Sequence, residues 1–410
     1  MTTLDSTMMP SPARLPTATR FLFALLQHLE TGSVELTTPD GVMRRFGPGG
    51  APAPGAKSVP AVLHLHDWRV AADALKGGDV GFAEGYMAGH WDTPDLTQLL
   101  TVLAANQSAL ERTFYGHWWT RTLLRAKHFL NANTKRQARR NIVAHYDLGN
   151  EFYRLWLDST MTYSSALFEG NFEQPLPDAQ QAKYRRMLDD LALPAGARVL
   201  EIGCGWGGFA VTAAAAGHHV TGISLSDEQT AWARARLDAA GMADRADLRI
   251  EDYRNITGTY DGIASIEMFE AVGERYWPAY FQAVHAALRP GGRACVQTIT
   301  IAEDRFQRYR TQSDFIQQYI FPGGMLASPG RFVDVAAAAG LVLERVHTFG
   351  HDYAETLKRW LANFDVSASA IRALGFDEKF VRCWRFYLAY CAAGFDSGTT
   401  DVAQYTFVRR

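Results

Sequence analysis

Glycines at 203, 205, 207 and 208 follow the apolar run Arg198-Val-Leu-Glu-Ile202 and precede the alanine-rich Phe209–Ala216. Such a turn lets backbone pass close to a ligand without Cβ interference, and the helix start beyond it offers free N–H groups and a positive dipole end. The string Gly203-x-Gly205-x-x-Gly208 also satisfies the dinucleotide fingerprint. Two neighbouring features oppose that reading. Glu201 stands just before the first glycine, where a carboxylate would repel a pyrophosphate and attract a cationic amino group. The next strand, His219–Leu225, runs into Ser224-Leu-Ser-Asp-Glu-Gln229 instead of ending in the acid that a dinucleotide ribose requires. The cofactor that fits is S-adenosylmethionine.

The elements that must position this turn read as regular α/β alternation. Strands are expected at Arg198–Ile202, His219–Leu225, Ala246–Ile250, Gly262–Glu267 and Arg293–Ile301, with helices at Phe209–Ala216, Asp227–Ala240 and Trp277–Leu288. This is the class I methyltransferase pattern, a Rossmann-like, mostly parallel sheet with helices on both faces. Ligands of such sheets lie at the carboxyl ends of the strands. Residues 203–208, 224–229, 252–253, 267–270 and 297–299 should therefore converge on one crevice. A small α+β N-terminal domain over 21–105 precedes it, with a hairpin around Pro39-Asp-Gly41, a strand at Ala61–His66, and helices at Trp68–Gly78 and Asp95–Asn106 separated by the Gly-rich Gly77–Trp91. Residues 1–20, rich in Pro, Thr and Ser, are expected to be disordered. The remainder, 141–410, is assigned to the methyltransferase domain.

A net charge of −2 excludes a whole-protein field for nucleic acid. Four cysteines without paired spacing fit a reducing cytoplasm, and no run approaches the roughly 20 apolar residues of a spanning helix. His64 and His66 share a strand face without a third ligand, so no metal is expected. Between Arg112 and Arg140 every charged residue is basic and aromatics interleave, as in Phe114, Tyr115, Trp118 and Trp119. Residues 106–140 thus form a basic aromatic helical linker, either a connector with a solvated face or a segment lying on an anionic membrane.

Asn141–Leu148 with Met161–Ser165, Val199–Phe209, Ser224–Gln229, Phe269–Gly273, Tyr319–Gly324 and Phe349–Tyr353 resemble the cyclopropane-fatty-acyl-phospholipid synthase family, which includes the mycolic acid cyclopropane synthases. The resemblance runs from about residue 140 to the end. It implies S-adenosylmethionine held by Tyr163, Ser164, Glu201, Gly203, Cys204, Gly205, Gly207, Ser224, Gln229, Asp252 and Tyr253. It also implies an unsaturated phospholipid acyl chain as substrate, peripheral attachment to the inner face of the membrane, and leaves a homodimer open. Aromatic faces at Tyr163, Phe269, Tyr319 and Phe321 would steady a carbocation. In the family a bound bicarbonate takes the proton that ring closure releases. Of its ligand positions Glu270, Ile299 and Tyr353 match, whereas Ser165 stands for a Cys and Gln297 for a His. Ser and Gln can donate hydrogen bonds but not a positive charge. Cyclopropanation is the leading reaction, with Glu270 and Tyr353 the foremost catalytic candidates; loss of the proton elsewhere would give a methyl-branched or methylene chain.

Overall fold

The computed structural model describes residues 15–49, 52–114 and 148–410, the backbone alone for 111–114. Alternating apolar residues build a first sheet from β1 (Val34–Thr37), β2 (Met43–Phe46), β3 (Ala61–Leu65) and β4 (Trp91–Asp92), in the order β2-β1-β3-β4. Val34, Leu36, Leu63 and Leu65 all point into one core. The expected hairpin is present, with Val34 opposite Phe46. Gly77–Trp91 differs from expectation. The first helix ends at Gly78 as expected, where a φ of 61° and ψ of −134° are not helical and suit a residue without Cβ, but a second helix follows it to Met87 within the stretch expected to separate the helices. At the N-terminus a helix begins at Thr17, inside the stretch expected to be disordered. Most of the basic linker and of Asn141–Leu148 lies outside the described residues, apart from a helix at Gln107–Phe114.

The second sheet holds β5 (Arg198–Ile202), β6 (His219–Ser224), β7 (Ala246–Ile250), β8 (Tyr260–Ile266), β9 (Leu288–Ile301), β10 (Leu341–Thr348) and β11 (Thr400–Arg409). Its order is β10-β11-β9-β8-β5-β6-β7, parallel from β9 to β7, with β11 running antiparallel between β9 and β10. The strand order reverses between β5 and β8, so the crevice of an open α/β sheet opens there. β10 and β11 fall outside the βα alternation and carry polar residues such as Glu344, Asp401 and Gln404, which hid them from a reading by apolar runs. Their pairing matters for the site, since β11 sets Gln404 opposite Gln297.

The first sheet shares its core with the C-terminal helices, while the strands of the second sheet pack mainly into two further apolar clusters, one of them holding Phe269 and Trp277. Leu26, Leu36, Leu65 and Trp91 belong to the same apolar cluster as Trp384, Phe386 and Leu388 of the helix Glu378–Asp396. Arg382 of that helix stacks its guanidinium 4.0 Å from the Tyr86 ring and donates to Trp91 O at 3.0 Å. Each large apolar side chain fully buried in this seam contributes roughly 1.5–3 kcal/mol. The N-terminal elements are thereby fixed against the C-terminal helices, and the space between them becomes part of the site.

Candidate active site

At the tip of β5 the chain turns through Gly203 (φ 87°), Gly205 (φ 49°) and Gly207 (φ 81°) into a helix over Gly208–Ala215. The N–H groups of Gly203 and Cys204 both donate to Ile223 O, at 2.9 and 3.0 Å, which ties the turn to β6. A Cβ on Gly205 would meet nothing within 4 Å, so bare backbone faces a cavity of about 870 Å³. Glu201 lines this cavity while buried, and its Oε2 has no hydrogen-bond partner. Burial raises its carboxyl well above the ordinary range. A buried, unpaired acceptor costs about 1–3 kcal/mol, a penalty that a cationic ligand group removes. The glycine cradle and this orphaned oxygen fit the ammonium end of S-adenosylmethionine.

Tyr163, Ser164, Cys204, Ser224, Gln229 and Tyr253 line the same cavity. Ser226 caps the helix Asp227–Ala239 by accepting the Gln229 N–H, which sets Gln229 at the rim. Gly207 and Asp252 do not line it. A Cβ on Gly207 would come 2.9 Å from Ala233 Cβ, so that glycine serves helix packing. Asp252 accepts two bonds from the Arg254 guanidinium, at 2.7 and 2.6 Å, and one from its backbone N–H at 2.9 Å, and Glu251 reaches the cavity in its place.

The catalytic candidates gather around a residue that sequence reasoning placed at a strand end and gave no role. Glu267 follows β8 in the left-handed region, φ 48°. Its Oε1 accepts from the Ser165 N–H at 2.9 Å and from Gln297 Nε2 at 2.7 Å, and its Oε2 accepts from the Tyr353 hydroxyl at 2.6 Å. Gln297 is oriented in turn by Gln404, whose Nε2 donates to Gln297 Oε1 at 3.1 Å. Glu270 stands apart from that set. Its Oε1 accepts from the Ile299 N–H at 2.5 Å and the Thr298 hydroxyl at 3.0 Å, and its Oε2 is buried without a partner. Glu267, Glu270, Ile299 and Tyr353 line the cavity, whereas Ser165 and Gln297 stand behind Glu267. The donors Ser165, Gln297 and Tyr353, which the resemblance assigns to bicarbonate, are thus engaged by a carboxylate of the chain itself, and the set does not fit a separate anion.

Burial pushes both carboxyls up, Glu270 to about 8, with the neighbouring Glu267 charge as the second cause. Two adjacent buried acids cannot both ionise cheaply. Lys183, fully buried on the helix Leu176–Leu191, donates to Ser164 Oγ at 2.5 Å, and its charge acts on Glu267 and Glu201. Burial lowers its ammonium to about 7. Its position on the apolar face with Leu176, Tyr184 and Met187 was the available signal.

From the carboxylates the cavity continues between the two sheets, walled by Leu22, Leu25, Leu26, Leu63, Leu100 and Leu103. Its volume is near the upper end of the roughly 300–1,000 Å³ usual for a ligand site. Of the four aromatics expected to face a cation, Tyr163 and Phe321 line the cavity and the other two do not. Phe269 stacks on Trp277 at 5.4 Å inside the second core, and Tyr319 lies at the surface donating to Glu84. Tyr387 is one of several aromatics that were missed; it lines the cavity and its hydroxyl meets that of Tyr163 at 2.6 Å.

Fold and cofactor cradle define a class I S-adenosylmethionine-dependent methyltransferase. The model of the family described as mycolic acid cyclopropane synthetase matches residues 133–405, and the chain belongs to that family. It is 39% identical to tuberculostearic acid methyltransferase UfaA1 of Mycobacterium tuberculosis, over 99% of this chain and 96% of that protein. The cyclopropane-fatty-acyl-phospholipid synthase of Escherichia coli (strain K12) is 31% identical over 86% of this chain and 89% of its own. Among solved structures, mycolic acid cyclopropane synthase CmaA1 complexed with SAH and CTAB superposes with a TM-score of 0.62 at 31% identity, covering 66% of this chain and 98% of that one. Among the described residues no helix is long and apolar enough to cross a membrane.

Proposed function

We propose that this enzyme transfers the methyl group of S-adenosylmethionine to the double bond of an unsaturated phospholipid acyl chain. The observation that carries the reading is the continuity of the cofactor cradle with a leucine-walled channel in one cavity. The cofactor supplies an electrophilic methyl group on a sulfonium. Glu201 and the glycine backbone hold its polar end. Leu25, Leu100 and Leu103 hold the acyl chain and exclude water, which an alkene, a weak nucleophile, needs. The faces of Tyr163, Phe321 and Tyr387 stabilise positive charge on the acyl carbon without trapping it.

Ring closure and open-chain methylation share these steps and part at the loss of a proton. Neutral Ser165 and Gln297 in place of the expected Cys and His, with the stronger similarity to the relative named a methyltransferase, favour an open-chain product that keeps an unsaturation. Cyclopropanation is the second reading, supported by the family and by the Escherichia coli relative's name. A bilayer substrate calls for peripheral attachment, for which the basic residues from Arg112 to Arg140 supply charge. Incubation with labelled cofactor and phospholipid vesicles tests the function. Label is expected in acyl chains of unsaturated vesicles alone; equal labelling of saturated vesicles would contradict it, and a cyclopropane signal in the product NMR spectrum would restore ring closure.

A further inference from the structure

Glu267 occupies a conformation that a glycine would adopt freely and a glutamate adopts at a cost of about 1–3 kcal/mol. The cost is offset by what the conformation achieves. It delivers a carboxylate to three donors drawn from three distant segments, the Ser165 N–H, the Gln297 amide and the Tyr353 hydroxyl. Because Gln297 Oε1 is taken by Gln404, the amide must present its NH₂ to Glu267. The result is an oxyanion bound through hydrogen bonds on both oxygens, on the wall of the reaction cavity beside Ile299 and Glu270.

We propose that the Glu267 carboxylate is a built-in replacement for bicarbonate and is itself the base that receives the proton. The inference rests on the lipid-methylation reading for its reaction but not for its anion site. Between the two acids the charge belongs on Glu267, which has three donors and the Lys183 ammonium, whereas Glu270 has two donors on one oxygen and stays protonated. Burial and the Glu267 charge hold the Glu270 carboxyl at about 8, in line with that division.

The step balances without an added reductant or oxidant. The alkene electron pair forms a bond to the donated carbon as the S–CH₃ bond breaks, its electrons staying on sulfur. The neighbouring acyl carbon becomes cationic. A C–H proton beside it moves to the Glu267 carboxylate, and the C–H electron pair closes the new double bond or the ring. The neutral carboxyl returns the proton to solvent after product leaves.

The test combines turnover with direct binding. In CO₂-free buffer the wild-type protein should methylate unsaturated vesicles at an unchanged rate whether or not millimolar bicarbonate is added, and the ¹³C signal of labelled bicarbonate should stay sharp in its presence. Glu267→Gln should lower kcat by about 10²–10⁴-fold, the range of a lost general base, with cofactor affinity retained. Glu267→Gly should lose turnover, recover part of it with bicarbonate, and broaden the labelled signal. A wild-type protein that needs bicarbonate or broadens its signal, or a Glu267→Gln protein with normal kcat, overturns the proposal. Should the wild type fail to methylate lipid at all, the substrate reading fails, while the NMR arm still decides the anion site, with Glu267→Gln as the folded control if Glu267→Gly is unstable.

Discussion

The cofactor end of the cavity centres on one uninterrupted stretch, Glu201 to Gly208 on the tip of β5, with residues such as Ser224, Gln229 and Tyr253 around it, whereas the carboxylate end has no such stretch and draws Ser165, Glu267, Gln297 and Tyr353 from four separate segments. At the first end one carboxylate oxygen, Glu201 Oε2, lacks a partner; at the second both oxygens of the Glu267 carboxylate are held by donors. The difference teaches how each end works. An orphaned acid waits for a cation that the ligand brings, while a saturated acid holds charge in place for the reaction itself. Substitutions at the first end should therefore change cofactor affinity, and substitutions at the second should change kcat and its pH dependence.

The largest effects come from the charged groups. Glu201→Gln should weaken S-adenosylmethionine binding by about 10–100-fold, since a charge-assisted bond contributes roughly 1.5–3 kcal/mol, with kcat at saturation little changed. Calorimetric titration checks this, and an unchanged Kd would break the contrast between the ends. Tyr353→Phe removes the donor to Glu267 Oε2 and should lower kcat at neutral pH by about 10-fold with cofactor Kd retained. Its pH profile supplies the sharper readout. Hydrogen bonding to the ionised carboxylate favours that form, so losing the bond raises the Glu267 carboxyl further and moves the rising limb of the rate to higher pH. Lys183 and Glu270 also face Glu267, and neither is altered by that substitution.

Two smaller effects test the surroundings. Glu270 stays neutral in the fold up to about 8, whereas the unfolded chain ionises near 4.5. Between those values the unfolded state binds fewer protons, so stability should fall as pH rises, by up to about 1.4 kcal/mol per pH unit from this group. Glu270→Gln should flatten that slope in urea unfolding; a slope as steep as wild type would remove Glu270 as its source. Gly205→Ala places a methyl group in open cavity space at a φ of 49°, and should weaken cofactor binding with a stability cost of only about 1 kcal/mol.

The same contrast explains what could be read in the sequence. The glycine turn, the five parallel strands and the cofactor were legible because each depends on residues adjacent along the chain. The crevice at the strand ends followed from topology alone. Glu267 was visible as the last residue of an expected strand, but its left-handed backbone and two of its three donors are products of tertiary pairing between β8, β9 and the helix Gly350–Val366. The third donor, the Ser165 N–H, comes from a loop distant in sequence, and local pattern carries no trace of either arrangement. Phe269 and Tyr319 show the converse error. An aromatic in a family motif was read as a cavity wall, when packing against Trp277 and bonding to Glu84 decide where those rings lie. The channel escaped notice for a third reason: its leucines come from N-terminal helices and from β3, which look like ordinary core until the C-terminal helices are set against them.

The central claim, that cradle and channel join a methyl donor to an acyl chain, is tested most directly by tandem mass spectrometry of unsaturated phospholipid after turnover with S-adenosylmethionine carrying a CD₃ group. An added labelled carbon is expected at a carbon of the former double bond, in an open chain that keeps one unsaturation. Label confined to the lipid head group, or acyl chains of unchanged mass, would contradict it.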